Sequence, residues 1–475
     1  MKKIWNHIKK NKFFYLLVLF SISMSLFLLM FMVSESDYFW HISAGKYMFN
    51  NNILKKDVFS WSVYSKYWMS HEWLFEIILY LIALISSKYH LLIYGFICIS
   101  SLLLILLYSN KENYLKNIPL TLLWISFSII FLSFMQGRPN LISFNLLAII
   151  IWFLYDKYKN KESKLVYFLP IIQIIWSNVH GGSSNLVYLF CFIFFIVGLF
   201  NFKFGKIESN RLSNKQLKSY FFIGIICMIM VNLNIHGFKM FLYPYQNMLD
   251  STMLSSIGEW APTNLNNFRH YPYLLLVLII VIIFLISKKK IDFIDLMLFF
   301  ISILLGFKSI RFWPYTYIIM SYVIFNYVNK RRIDKGTNII IGFISLILLL
   351  IPIFNFNIIK ENIETRYLSK DILNILKIEK PKRLFNMYDY GGELVNNDIK
   401  VFIDGRADLY SKYNMKDYLS ISNLYGDYQD TINKYNFDYF LVSHNTPITS
   451  YLSYSNDYKK IYSDKELILY KKTTE

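Results

Sequence analysis

The chain has 475 residues, of which 55% are hydrophobic, 19% aromatic and only 17% charged. Soluble domains carry about 25% charged residues, so a water-soluble globule is disfavoured, and a disordered chain, a collagen, a coiled coil and a disulfide scaffold are excluded. The net charge of +19 does not indicate nucleic acid: residues 1–358 hold 33 of the 50 Lys+Arg and 14 of the 31 Asp+Glu, leaving 17 of each sign for 359–475.

The excess therefore sits in the apolar part, where loop Lys and Arg set orientation across a bilayer. Five lysines within Met1–Lys12 precede an apolar run from about Phe13 to Val33. That run is too long for a signal h-region and lacks a small-x-small cleavage site, so it predicts a retained first span with a cytoplasmic N-terminus. Further apolar blocks lie near 72–87, 90–108, 118–135, 140–155, 165–177, 184–202, 219–233, 271–287, 291–307, 311–328 and 338–354. The links alternate between basic ones (109–117, 156–164, 203–218, 288–290, 330–335) and ones rich in unusual polar residues (34–71, 136–140, 178–183, 234–270, 308–311). Basic links inside and polar links outside give one consistent topology. Parity then makes 72–87, which opens on His71-Glu72-Trp73 and contains Glu76, an interfacial helix. About 11 transmembrane helices remain. The cysteines Cys98, Cys191 and Cys227 fall inside apolar blocks and read as small hydrophobes.

The first outer loop is the richest segment. It opens on Glu35-Ser36-Asp37-Tyr38-Phe39-Trp40-His41, continues through Asp57-Val58-Phe59-Ser60 and ends at His71-Glu72. A boundary carboxylate loses solvation unless a cation pairs with it, which suits a general base. On a helix, Asp37 and His41 share a face. They could bind a divalent metal together, or the histidine could orient the acid. An interfacial aromatic belt with solvated acids is the plainer reading. Arg138, in Gln136-Gly137-Arg138-Pro139-Asn140, and Arg311, in Ser309-Ile310-Arg311-Phe312-Trp313-Pro314, sit at outer helix boundaries beside Lys308. Each either snorkels or meets an anion such as a phosphate. Asn178-Val179-His180-Gly181 and Asn234-Ile235-His236-Gly237 form a near-duplicate pair on the same side. Glu259-Trp260 pairs an acid with an aromatic, as sugar-binding sites do, after an amphipathic stretch over Phe238–Leu254.

Residues 359–475 have short apolar runs and balanced charge, and predict a small α/β domain. Arg383–Met387, Lys400–Ile403, Tyr439–Val442 and Leu467–Lys471 read as strands; Asp371–Lys377 and Asp427–Tyr435 read as helices. Asp404, Arg406 and Asp408 close a polar turn that suits either a ligand or, preferably, an ion-pair cluster docking the domain onto the membrane part. No phosphate loop, GxGxxG or nucleophile elbow is present, so no nucleotide cofactor is expected.

An N-in first helix, an acid-bearing first outer loop and an interfacial helix beginning with a second acid resemble the GT-C superfamily of membrane glycosyltransferases. More closely, Asp37-x-x-x-His41-x-x-x-Gly45, Asp57-x-Phe59-Ser60, His71-Glu72-Trp73, Arg138-Pro139, Asn178-x-His180-Gly181, Glu259-Trp260-x-Pro262, Gly391-Gly392-x-Leu394 and Phe402-Ile403-Asp404-Gly405-Arg406 resemble a large group of bacterial polytopic proteins placed in that superfamily. The resemblance implies a GT-C-like catalytic module over 1–358, an extracytoplasmic α/β domain over 359–475, and a multi-pass protein of the cell membrane. It implies an inverting transferase that moves a sugar from a polyprenyl-phosphate donor to a glycan, lipid or protein acceptor. Asp37 matches the first-loop acid, with Glu35 as the nearby alternative, and Glu72 matches the second acid. Trp73 stands where some relatives carry a phosphate-binding lysine, so Arg138 or Arg311 would take that contact. Asn178, His180, His236, Glu259 and Trp260 would line the substrate site. Asp37, His41, His71 and Glu72 would hold any Mg or Mn ion. A non-catalytic scaffold, a transporter or flippase of lipid-linked glycan intermediates, and a polymerase or ligase of surface glycans are the competing readings.

Overall fold

A computed structural model of the chain describes residues 11–249, 261–329, 335–364 and 366–473. Among the described residues five helical stretches are long and apolar enough to cross a membrane: Lys12–Phe31, His90–Ser109, Asn140–Lys159, Gly181–Gly198 and Phe268–Ile286. A sixth is counted if Ile339–Phe354 and Phe356–Glu364, bent by 56° at their junction, form one span. Shorter apolar helices occupy Trp73–Ile85, Ile118–Phe134 and Leu165–Val179. The chain is thus a multi-pass membrane protein. Fewer long helices than apolar blocks appear among the described residues because several blocks break into short α and 3-10 pieces, as over 118–134, where α-helix gives way to 3-10 at Phe127.

In chain order the helices that build the membrane body and its outer end are α1 (Lys12–Leu28), α2 (Ser36–Asn50), α3 (Trp73–Ile85), α4 (His90–Ser109), α5 (Ile118–Ser126), α6 (Asn140–Lys159), α7 (Leu169–Val179), α8 (Leu186–Gly198), α9 (Asn214–Met230), α10 (Phe238–Leu249), α11 (Tyr271–Ile286), α12 (Phe293–Lys308), α13 (Trp313–Val323), α14 (Lys335–Phe354) and α15 (Phe356–Glu364). At 13 residues, α3 is about 20 Å long, short of a ~30 Å hydrocarbon core. The stretch expected over Phe238–Leu254 is helical through Leu249; the rest lies outside the described residues. Small strands β1 (Phe202–Phe204), β2 (Ile207–Ser209) and β3 (Ile291–Asp292) tie two basic links together.

The C-terminal part adds α16 (Lys370–Glu379), α17 (Gly391–Asn396), α18 (Met415–Asn423), α19 (Tyr428–Tyr435) and α20 (Pro447–Tyr454) around a four-stranded sheet. Its order is β4–β5–β7–β6, from β4 (Leu384–Asn386), β5 (Tyr439–Ser443), β6 (Tyr458–Ser463) and β7 (Leu467–Lys472), with only the β4–β5 pair parallel. The expected strand at Lys400–Ile403 is not one. Val401 instead makes a single parallel bridge to Ser60 of the 34–71 segment, its N–H bonded to Phe59 O and its carbonyl to Trp61 N. A loop partner took the ladder that a sheet strand would have supplied.

That bridge is part of a larger joint. One apolar core fills the helix bundle. The second contains Trp40, Ala44, Met48, Leu54, Val63 and Trp68 of the 34–71 segment together with the sheet residues Phe385, Phe440 and Leu469. Trp61 Nε1 donates to Leu384 O, Ser62 Oγ to Phe402 O, and Asn414 Nδ2 to Ser62 Oγ. The loop and the C-terminal part are packed as one body over the membrane end.

Candidate active site

Helix α2 begins immediately after an extended Glu35, with Asp37 in its first turn, where the helix dipole favours an acid. Asp37, His41 and Gly45 follow at four-residue spacing and share a face. Gly45 is needed for close approach: a Cβ there would lie 2.1 Å from Glu76 O. Its absence lets α2 cross α3 in contact, bringing His41 between two carboxylates. His41 Nε2 is 3.5 Å from Glu72 Oε2, and its Nδ1 is 3.4 Å from Glu76 Oε1. Glu72 also lies 3.2 Å from His71 Nε2 and 3.6 Å from His180 Nε2.

These contacts set the charges. Burial alone would raise Glu72, but His71, through its charge and its hydrogen bond, and then His41 pull it well below the usual carboxylate range. Burial opposes charge on His71, yet Glu72, Asp408 and Glu76 outweigh it and push the imidazolium up to about 9. His180 is pulled down to about 3 by burial, which Arg311 reinforces and Glu72 opposes. It is a neutral ligand: Arg311 Nη2 donates to its Nε2 at 3.3 Å, so the ring proton sits on Nδ1 and goes to Ser143 Oγ at 2.7 Å.

Asp37 meets a cation, as a boundary carboxylate requires. Arg138 Nη2 is 2.8 Å from Asp37 Oδ2 and 2.7 Å from Glu35 Oε2, and its Nε also bonds Glu35. Trp40 Nε1 donates to Asp37 Oδ1 at 3.1 Å. Arg138 is therefore committed to two acids.

A cavity of about 550 Å³ joins these groups, within the range of small-ligand sites. Glu35, Asp37, His41, His71, Glu72, Arg138, His180 and Arg311 line it. So do apolar side chains, Leu186, Leu189 and Ile193 of α8 and Ile301 and Leu305 of α12, together with Phe312 and Tyr315. Asp389, Gly405, Arg406 and Asp408 reach in from the C-terminal part. Glu76 was not singled out as a candidate, and Asp389 stood out only as part of Tyr388-Asp389-Tyr390-Gly391-Gly392-Glu393-Leu394, with no role of its own. The four-residue spacing of Glu72 and Glu76 could have signalled the first; only the fold brings Asp389, whose pKa is raised by burial and by Asp37, to the site.

Not every expected residue is here. Asn178 and His236 do not line the cavity. Asn178 Oδ1 accepts from Trp73 Nε1 at 2.9 Å and from Asn234 Nδ2 at 3.0 Å, and His236 Nε2 is bonded to Ser70 O. The duplicated Asn-x-His-Gly motifs thus brace each other and the 70–73 turn, and only His180 faces inward. Lys308 is exposed and outside the lining. Glu259 and Trp260 lie outside the described residues. Asp404 and Arg406 form a buried ion cluster with Asp57: Arg406 is 2.6 Å from each carboxylate, and Tyr410 OH donates to Asp404 at 2.9 Å. Asp57 also accepts from Ser60 N at 3.0 Å and Ser60 Oγ at 2.7 Å, which accounts for the Asp-x-Phe-Ser motif as a capped turn.

Among the described residues no group of three or more His, Cys, Asp or Glu side chains is arranged to hold a metal ion. The expected quartet of Asp37, His41, His71 and Glu72 does not converge, because Arg138 takes Asp37 while the histidines share Glu72.

Three solved structures share the fold. The apo crystal structure of the Archaeoglobus fulgidus oligosaccharyltransferase matches with a TM-score of 0.55 at 11% identity, over 91% of this chain and 70% of that one. The archaeal oligosaccharyltransferase AglB from Archaeoglobus fulgidus, in complex with an inhibitory peptide and a dolichol-phosphate, matches at 0.54 and 10% identity over the same shares, 91% and 70%. The Archaeoglobus fulgidus enzyme tethered by a disulfide to an acceptor peptide containing the NVT sequon matches at 0.51 and 12% identity, over 98% and 74%. At these identities the likeness is one of fold alone. No protein-family profile and no curated protein sequence matches the chain.

Proposed function

We propose that this protein is a membrane glycosyltransferase that moves a sugar from a polyprenyl-phosphate donor to an acceptor hydroxyl on the outer face of the membrane. The observation that carries the reading is one cavity lined both by charged groups and by the apolar side chains of α8 and α12, in a chain with the fold of oligosaccharyltransferases. The apolar lining would take a polyprenyl chain, and Arg311, which lines the same cavity, would meet its phosphate. Arg138, held between Glu35 and Asp37, serves the acids rather than the donor. The excess of lysine in the alternate links supports a cytoplasmic N-terminus and an extracytoplasmic C-terminal domain.

Asp37 accepts the proton of the acceptor hydroxyl. The oxygen attacks the anomeric carbon opposite the phosphate, forming the new glycosidic bond as the carbon–oxygen bond to phosphate breaks. The electron pair leaves with the lipid phosphate, whose charge Arg311 stabilises. Attack from the opposite face inverts the anomeric configuration. Lipid phosphate is a good leaving group, so no general acid is required. Glu72, flanked by His41, His71 and His180, holds the floor of the site in one charge state.

The test uses purified full-length protein with radiolabelled undecaprenyl-phosphate glucose, galactose and mannose as donors, and reads sugar release to acceptor. Asp37→Asn is expected to lower turnover about 10²–10⁴-fold while undecaprenyl phosphate still binds. Unchanged turnover in the folded variant would overturn the assignment.

A further inference from the structure

The sequence motifs Gly391-Gly392 and Asp404-Gly405-Arg406 belong to the C-terminal part, yet two of their three glycines, Gly392 and Gly405, lie where that part meets the first turn of α2. A Cβ on Gly392 would sit 1.9 Å from Ser36 O, and one on Gly391 would sit 2.2 Å from Ile403 O. At Gly405 the contact is with the proposed base: a Cβ would lie 1.6 Å from Asp37 Oδ1 and 2.9 Å from Trp40 Nε1. None of these three glycines has a positive φ, so the requirement is space, not backbone conformation.

Gly405 is fixed from both sides. Arg406 N donates to Asp404 Oδ1 at 3.0 Å, and the Arg406 side chain is locked by Asp404 and Asp57. Tyr388 OH donates to Gly405 O at 3.1 Å. The backbone at 405 is thus a rigid wall against one carboxylate oxygen, while Arg138 holds the other.

We propose that the Asp404–Arg406 turn is a positioning element, with Gly405 as the positioning residue that fixes the Asp37 carboxylate in its reactive orientation. This rests on Asp37 being the base. It gives the C-terminal part a role in the reaction: the base has one orientation only when this domain is seated on the loop. A docking role alone would require a tight interface somewhere. It would not require the tightest approach to fall on the Asp37 carboxylate.

The test measures kcat and donor KM for the full chain with whichever undecaprenyl-phosphate hexose the wild type consumes. Gly405→Ala is expected to lower kcat about 10²-fold, the cost of a misplaced reacting group, with donor KM and undecaprenyl phosphate affinity changed by less than about twofold. Should that variant fail to fold, Tyr388→Phe removes only one hydrogen bond and is expected to lower kcat about threefold at unchanged KM. Combined with Asp37→Asn, Gly405→Ala should lower the residual rate by less than about twofold, since the two act through one group. A Gly405→Ala kcat near that of wild type, or an equal loss in both backgrounds, would overturn the proposal. Full activity of Asp37→Asn alone would instead remove the catalytic reading beneath it, so the two failures are distinguishable.

Discussion

The Arg406 guanidinium lies 2.6 Å from Asp57 of the 34–71 segment, and neither side chain is exposed. Together with Asp404 it makes a buried three-charge cluster, and the rings of Trp68, Phe59 and Tyr410 lie within 4.7, 5.2 and 5.6 Å of its cation. Replacing the cation leaves two buried carboxylates without compensation. Arg406→Met should therefore cost about 3–5 kcal/mol, read as a lowered melting temperature. Arg406→Lys should recover only part of it, because an ammonium cannot serve both carboxylates as a planar fork does. An Arg406→Met melting curve matching wild type would show that the cluster does not hold the domain.

The polar interruptions of apolar blocks were the legible part of the site. Asp37, His41, His71, Glu72, Arg138, His180 and Arg311 were all visible as charge or imidazole placed where hydrocarbon should be, and all line the cavity. Their partners were not visible. Nothing local tells that Arg138 serves Glu35 and Asp37, since pairing across 101 and 103 residues is a property of the bundle. The domain sheet shows the same division. Buried β5 and β7 are apolar runs and were found, whereas β6 reads Tyr-Lys-Lys-Ile-Tyr-Ser and is an edge strand, whose lysines hide it as they protect it.

Three histidines give the stability a maximum in pH. His180 and His236 are pulled down to about 3 and about 4, each chiefly by burial, so the unfolded chain binds more protons than the folded one below their ordinary value of about 6.5. Stability then falls as pH drops from about 6.5. His71 is raised to about 9, so its contribution is present below about 6.5 and is lost as pH rises towards 9. Melting in detergent should peak near pH 6.5. His71→Gln should flatten the alkaline limb and leave the acid limb in place; an unchanged alkaline limb would remove His71 as its source.

His180 accepts from Arg311 and donates to Ser143 as a neutral ring. A neutral amide of similar reach should substitute for it, so His180→Gln is expected to retain activity within about tenfold, the scale of one or two hydrogen bonds. His180→Lys places a cation against Arg311 and should abolish donor binding. Equal loss in both variants would point to packing rather than charge.

Arg138 bridges two acids through one guanidinium. Arg138→Lys keeps the charge but loses the fork, leaving either Glu35 or Asp37 without its hydrogen bond. Turnover should fall about 10- to 100-fold through kcat, with donor KM nearly unchanged, since Arg311 rather than Arg138 is assigned to the phosphate. A large rise in donor KM would return Arg138 to the phosphate site.

The apolar lining of the cavity gives the donor assignment its most direct check. Leu189 of α8 and Leu305 of α12 both belong to it, and Leu189 is 37% exposed, so a larger side chain there meets open space rather than a packed core. Leu189→Trp should leave the melting temperature within a few degrees of wild type. It should also occupy the room a polyprenyl chain needs. If the lipid lies in this groove, donor KM rises at least about tenfold, the effect of about 1.4 kcal/mol of lost binding, while a short-chain analogue that ends before Leu189 is used as well as by wild type. If long and short donors suffer equally, the lipid takes another path and Arg311 loses its claim to the phosphate, because its assignment rests on lining the same cavity.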